Sequence, residues 1–221
     1  MRSTLIILHA PGYAPRFDLD TIETAEGTGA DSIGWSEAYR MADELARRPD
    51  YLIRMGNTRT HTRVVPSPRG DAGDNPISFR KGRQTRLVRA VRATGPGEPR
   101  KYAPERWVYA VTYRWSGEWV THVHAHPSPL FVGRGPWLRV MHATLREVRQ
   151  AKRRGEHVVL TGDLQTRKRF LKVMLRAAGL RIWNEHVDYL CHTRGLKFAG
   201  REVLKVEGID HPWLLAHLER V

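Results

Sequence analysis

The residues of this chain that could do chemistry are carboxylates and imidazoles placed at the ends of short apolar runs. The run from His157 to Leu160 ends in Thr161-Gly162-Asp163, with Gln165 two residues further on. A carboxylate therefore leaves the carboxyl end of a strand, where ligand and metal sites of layered α/β proteins gather. Near the end of the chain Asp210 and His211 are adjacent. A carboxylate beside an imidazole orients the ring or joins it at a metal. Between Thr121 and His126 the sequence alternates His122, His124 and His126, which the period of a strand sets on one face. Three imidazoles on one face point to metal or phosphate more than to packing. Glu37 closes a short apolar stretch that begins at Asp31. Each pattern also has a plain structural reading: Gly-Asp as a turn, Asp-His-Pro as the turn into a last strand, and Glu in a first helical turn favoured by the dipole.

The elements that must position these groups follow from periodicity and turn residues. Strands are predicted at Thr4 to Leu8, Ser32 to Ser36, Tyr51 to Met55, Thr62 to Val65, Pro76 to Arg80, Thr85 to Val91 and Trp107 to Arg114. Ser116-Gly117 reads as the turn of a hairpin into Glu118 to His126. A helix carries Tyr39, Ala42 and Leu45, a second Leu138, Met141, Leu145 and Val148, and a third Phe170, Val173, Met174 and Ala177. The remaining strands are His157 to Thr161, Leu180 to Trp183, Val187 to Cys191, Val203 to Val206 and Pro212 to Leu218. Residues 66 to 75 form a Gly- and Pro-rich loop. Strands outnumber helices and hairpins mix with helical crossovers. The class is mixed α/β (α+β), with two sheets in one domain spanning residues 1 to 221.

Composition narrows the partners. The chain carries 37 Lys+Arg against 23 Asp+Glu, a formal charge of +14, and 30 of the cations are Arg. That surplus favours polyanions, nucleic acid first. Arg80, Lys81, Arg83, Arg86, Arg89 and Arg92 crowd one segment, and Lys152 to Arg154 and Arg167 to Arg169 form two more clusters. Arg86 and Arg89 are the substrate-contacting candidates among them, and Trp107, Tyr113 and Trp115 interleave as stacking surfaces. Cys191 is the single cysteine, which excludes an internal disulfide and a Cys-built zinc cage. With no apolar stretch of transmembrane length, the expectation is a cytoplasmic monomer without a membrane partner.

Taken in order, the blocks from Asp31 to Glu37, Val123-His124, Leu160-Thr-Gly-Asp163-Leu-Gln165, Val187-Asp188-Tyr189-Leu190 and Ile209-Asp210-His211 resemble the endonuclease/exonuclease/phosphatase superfamily. Its motifs read approximately D-I-(V/I)-G-L-Q-E, N-T-H-L, G-D-F-N, I-D-Y-(I/V) and S-D-H. The resemblance implies a four-layer sandwich, deoxyribonuclease I-like, of two packed β-sheets flanked by helices. It also implies a metal-dependent nuclease or phosphodiesterase using Mg²⁺ or Mn²⁺ on DNA or RNA. Carried over, Glu37 is the metal ligand, with Asp210 a further candidate. Asp163, supported by Gln165, orients the attacking water, and Asp210 pairs with His211, which contacts the scissile phosphate. His124 is the second phosphate-facing imidazole, one register step from His126, and Asp188 is a supporting acid. His9 stands where the family's first strand ends in Asn, Gln165 where Asn is expected, and Ile209 where Ser is expected.

Three other readings use the same residues. A basic binding protein that kept the fold and lost activity would explain the departures at positions 9, 165 and 209. A phosphatase of small phosphoesters would share the fold. A zinc hydrolase of the metallo-β-lactamase type would use His122, His124 and His126, although Pro127-Ser128 follow where that pattern expects Asp-His.

Overall fold

A computed structural model describes residues 4–11, 19–36, 60–63, 77–95 and 105–221. The helix expected around Tyr39, Ala42 and Leu45, the strand at 51–55, the loop at 66–75 and Glu37 lie outside them. In chain order the elements are β1 (Leu5–Pro11), α1 (Leu19–Gly27), β2 (Ser32–Ser36), β3 (His61–Arg63), β4 (Ile77–Arg80), β5 (Thr85–Thr94), β6 (Arg106–Trp115) and β7 (Glu118–Ala125). There follow α2 (Arg134–Arg153), β8 (His157–Asp163), α3 (Arg169–Ala177), β9 (Leu180–Glu185), β10 (Asp188–Thr193), β11 (Leu196–Leu204) and β12 (Trp213–Arg220).

Strand alternation sorts side chains onto two faces, and the described strands form two six-stranded sheets. One runs β11-β12-β1-β2-β4-β3 and the other β5-β6-β7-β8-β10-β9. Three apolar layers separate four structural layers. Leu5, Ile7, Tyr109, Val111, Val159, Leu190, Leu214 and Ala216 fill the space between the sheets. Leu8, Ile33, Trp213 and Leu215 cover the outer face of the first sheet together with Ala25 of α1. Val123, Val158, Leu160, Tyr189 and Cys191 receive α2 and α3 on the outer face of the second. The expected sandwich is therefore observed, and no described helix is long and apolar enough to cross a membrane.

Local details depart from the sequence reading for identifiable reasons. Helix α3 buries Leu171 and Leu175, while Phe170 and Val173 are exposed. Its apolar residues form two overlapping stripes, and contact with the second sheet selects one. Helix α2 likewise buries Trp137, Val140 and Met141 and leaves Leu138 outside. Strand β11 begins at Leu196 rather than Val203, because polar edge residues such as Lys197 and Arg201 hid its alternation. Helix α1 was not foreseen; Thr28 Oγ1 closes it on the Ala25 carbonyl at 2.6 Å.

One tight turn and one close backbone approach are legible in residue type. Ser116 and Gly117 both have positive φ, 47° and 84°, as a two-residue hairpin requires. Gly162 answers a different demand: a Cβ there would lie 2.1 Å from the backbone carbonyl oxygen of Ala125 on the neighbouring strand. Backbone cannot give way as a flexible side-chain end can. Gly162→Ala should therefore lower stability by about 1–3 kcal/mol. Gly27→Ala, with nothing within 4 Å, should be neutral or slightly stabilising. Urea midpoints of the two variants measure the difference.

Candidate active site

The layer between the sheets is apolar along most of its length and turns polar at one end. The parallel pairs β1 with β2 and β7 with β8 bring four carboxyl ends to that end, and antiparallel β10 begins there. The register of β8 and β10 sets Asp163 directly opposite Asp188, a cross-strand spacing of about 4.5–5.5 Å between Cα atoms. Both carboxylates are buried.

Asp188 is held from two sides. Its Oδ1 lies 3.0 Å from Nε2 of His9, and its Oδ2 lies 2.9 Å from Nδ1 of His211. Burial pushes the Asp188 carboxyl up, but the hydrogen bonds from His211 and His9 outweigh it and leave the group below its ordinary value. The Asp188 hydrogen bond is the largest influence on His211 and raises it to about 9 against the opposing effect of burial. The charges of Asp188, Asp163 and Asp210 add to the rise. His211 is thus an imidazolium at neutral pH, with Nε2 on the side away from Asp188.

Asp163 is positioned by the residue two further on. Its Oδ1 accepts the Gln165 backbone N–H at 2.9 Å, and its Oδ2 accepts the Gln165 side-chain amide at 2.6 Å. Gln165 takes a left-handed backbone, φ 58°, which costs a non-Gly residue on the order of 1 kcal/mol or more. The extra methylene relative to Asn still lets its amide reach the carboxylate. The same amide lies 3.0 Å from Nε2 of His126, whose Nδ1 faces Nη1 of buried Arg106 at 3.2 Å.

The other imidazoles belong to a buried chain of hydroxyls. Tyr113 OH meets Ser32 Oγ at 2.9 Å, and Ser32 meets Nδ1 of His122 at 2.8 Å. Thr161 Oγ1 sits 2.7 Å from both Nε2 of His122 and Nδ1 of His124. Nε2 of His124 faces Ser36 Oγ at 3.2 Å, and Ser36 accepts the Asp163 backbone N–H at 3.4 Å. Burial, aided by the electrostatic influence of neighbouring His9, pushes His122 down to about 3 and His124 well below its usual value. Both rings are neutral. Gly34 allows this packing, since a Cβ there would lie 2.3 Å from Thr161 Oγ1 and 2.4 Å from Nδ1 of His124.

The structure redistributes the expected roles. Asp163, Gln165, Asp188, His211 and His9 come together. His211 pairs closely with Asp188 rather than with its sequence neighbour: Asp210, half exposed, stands 3.9 Å from Nε2. Asp210 and His211 lie in a bend before β12, and the close partner of His211 comes from the start of β10. His124 is fully buried with both ring nitrogens engaged, so it supports the site from within instead of facing solvent. His126 is engaged on both sides as well. The three alternating imidazoles do not converge on one point, which removes the zinc-hydrolase arrangement. Arg86 pairs with Glu156 and lies over the Trp119 ring at 4.5 Å. Arg89 lies 3.7 Å from Glu147 of α2. Neither reaches the carboxylate cluster, because β5 is the far edge of its sheet. Tyr113 and Trp115, expected as stacking surfaces, are buried between the sheets. Ser32, Ser36 and Thr161 were missed. Their signal was a polar residue on the inward period of a buried strand, as in Val159, Thr161 and Asp163.

Asp163, Asp188 and His211 offer ligand atoms within 4.8 Å of one another. The facing carboxylates of Asp163 and Asp188 supply the oxygen ligands that a hard divalent cation takes while retaining water.

No family model matches the chain, and no curated protein matches it. Solved structures do. An endonuclease/exonuclease/phosphatase family protein from Bacteroides thetaiotaomicron superposes over 100% of this chain and 99% of its own, with TM-score 0.70 and 10% identity. A mannosyl-6-phosphatase from the same organism matches over 97% and 99%, with TM-score 0.71 and 10% identity. D. rerio TDP2 complexed with single-strand DNA product matches over 98% and 99%, with TM-score 0.67 and 12% identity. At these identities the likeness is one of fold.

The raised His211 makes stability depend on pH in a defined direction. Its stabilising contribution is fully present below the ordinary histidine value of 6.5 and is lost as pH rises through about 9. In EDTA, wild-type unfolding free energy should fall by on the order of 2 kcal/mol between pH 6.5 and 9.5. His211→Gln should flatten most of that fall. A wild-type profile already flat across this window would show that the pair is not formed.

Proposed function

We propose that this chain is a divalent-metal-dependent phosphodiesterase acting on nucleic acid, in one domain on the endonuclease/exonuclease/phosphatase fold. The observation that carries this reading is the imidazolium of His211 fixed by buried Asp188 directly beside Asp163. Phosphoryl transfer needs a proton donor near the phosphate, a carboxylate near the water and relief of developing charge.

His211 donates from Nε2 to a phosphate oxygen, and Asp188 keeps its proton in place through Nδ1. His9 holds the other oxygen of Asp188, so the carboxylate cannot rotate away. Asp163, anchored by Gln165, orients the water and accepts its proton. Asp210 adds negative charge beside Nε2 and helps keep His211 protonated. The cation, Mg²⁺ or Mn²⁺, would be held by Asp163 and Asp188, with Glu37 and Asp210 as further ligand candidates. When bound it neutralises charge building on the phosphoryl oxygens. Neutral His124 holds Ser36, the residue before Glu37, and through it the Asp163 backbone, while neutral His122 shares Thr161 with His124. The departures at His9 and Gln165 keep a donor on each carboxylate, which favours an enzyme over a degenerate binder. The formal charge of +14 favours a polyanionic substrate.

Asp163→Asn and His211→Ala should each reduce turnover about 10²–10⁴-fold on single-stranded DNA, RNA or bis(4-nitrophenyl) phosphate. Circular dichroism should be unchanged, and the double variant should be scarcely worse than the worse single one. EDTA should abolish cleavage and Mg²⁺ or Mn²⁺ restore it. Wild-type rates in either variant would place the chemistry elsewhere. Cleavage of small phosphomonoesters but of no polymer would replace the nuclease by a small-molecule phosphatase.

A further inference from the structure

The arginines that cluster in sequence are largely neutralised in the fold. Arg83 pairs with Asp31, Arg86 and Arg154 with Glu156, Arg89 with Glu147 and Arg92 with Glu105. Lys152 caps α3 through the Ala178 carbonyl at 2.6 Å. A different set is gathered only by the fold. Arg176 from the last turn of α3, Arg181 of β9 and Arg194 from the turn between β10 and β11 line one groove with Gly179, Leu180 and Ile182. Its volume is about 560 Å³ and its lining contains no acid. All three arginines are exposed, and among the described residues none of them joins an ion pair.

The groove lies at the end of the second sheet opposite the candidate active site. Leu180 pairs with Thr193 at one end of β10, and Glu185 pairs with Asp188 at the other. Five residue steps of strand separate them, roughly 17 Å. Unpaired guanidinium groups from three elements present planar forks suited to phosphate oxygens. The volume exceeds what one phosphate needs, and Ile182 supplies an apolar wall for sugar carbons.

We infer that the Arg176, Arg181 and Arg194 groove binds the phosphodiester backbone of single-stranded nucleic acid away from the reacting phosphate. The class of ligand rests on the phosphodiesterase reading, but the groove's binding is tested apart from it. A strand held there makes affinity depend on length, because a short substrate that fills the active site does not span the separation.

The test measures anisotropy of a fluorescein-labelled 20-nucleotide single-stranded DNA in EDTA across a salt series. It compares wild type, R176A/R181A/R194A and a charge-matched control, R139A/R146A/R149A, on the exposed face of α2. Each single-strand phosphate contact contributes about 0.7 to the slope of log affinity against log salt. The groove variant should lose about 2 from that slope and at least about tenfold in affinity at low salt. The control should lose clearly less. Hydrolysis of bis(4-nitrophenyl) phosphate with Mn²⁺ should be the same in wild type and groove variant. An unchanged slope, or a control that falls equally, overturns the groove. If inorganic pyrophosphate binds the groove as tightly as the strand, the ligand is a free phosphate and the strand assignment falls. If wild type hydrolyses nothing while the groove variant alone loses the slope, the groove stands and the enzymatic reading falls.

Discussion

The site depends on one buried carboxylate. Asp188 begins β10 between two sheets, in a layer otherwise filled by Leu5, Ile7, Tyr109 and Leu214. An isolated charge there would be driven to neutrality by desolvation. It stays ionised because His9 and His211 reach it from different parts of the chain. Parallel pairing of β1 with β2 brings His9 to this level, and the entry into β12 brings His211. The ends of the first sheet are thereby tied to the second through a single side chain.

Around that carboxylate, burial and neighbouring charge sort three imidazoles into opposite states. His211 gains a proton because carboxylates surround it and some solvent remains. His122 and His124 lose theirs because burial dominates and their neighbours are hydroxyls and other imidazoles. The neutral rings and Thr161 form a polar spine that aligns Ser36 and the Asp163 backbone. The hydroxyl chain suits neutral rings for this reason: a threonine shared by two ring nitrogens needs one as donor and one as acceptor.

The same logic governs the cations. Charges adjacent in sequence on β5 fall along one strand, where acids from α2 and from Glu156 reach them. Arg176, Arg181 and Arg194 come from a helix end, a strand and a turn, and no acid stands among the groove's lining residues. Positive surface that remains available is therefore a product of tertiary placement and not of local composition.

The sequence alone determined the strand order's raw material and the identity of the acids. Short apolar runs marked β1, β2 and β8, and turn residues such as Ser116-Gly117 marked the hairpin into β7, because these signals are local. The site's carboxylates and imidazoles were legible as residue types at strand ends, and the ordered blocks around Asp163, Asp188 and His211 marked a known architecture. Only the tertiary structure decided who pairs with whom. Asp210 is the covalent neighbour of His211, yet Asp188, 23 residues earlier, is its close partner. His124 was expected at the surface of the site and is its interior support. Helix α3 turned Leu171 inward instead of Phe170. Local spacing sets which faces a segment can present, whereas the register between strands and the depth of burial set which face is used and which proton is kept.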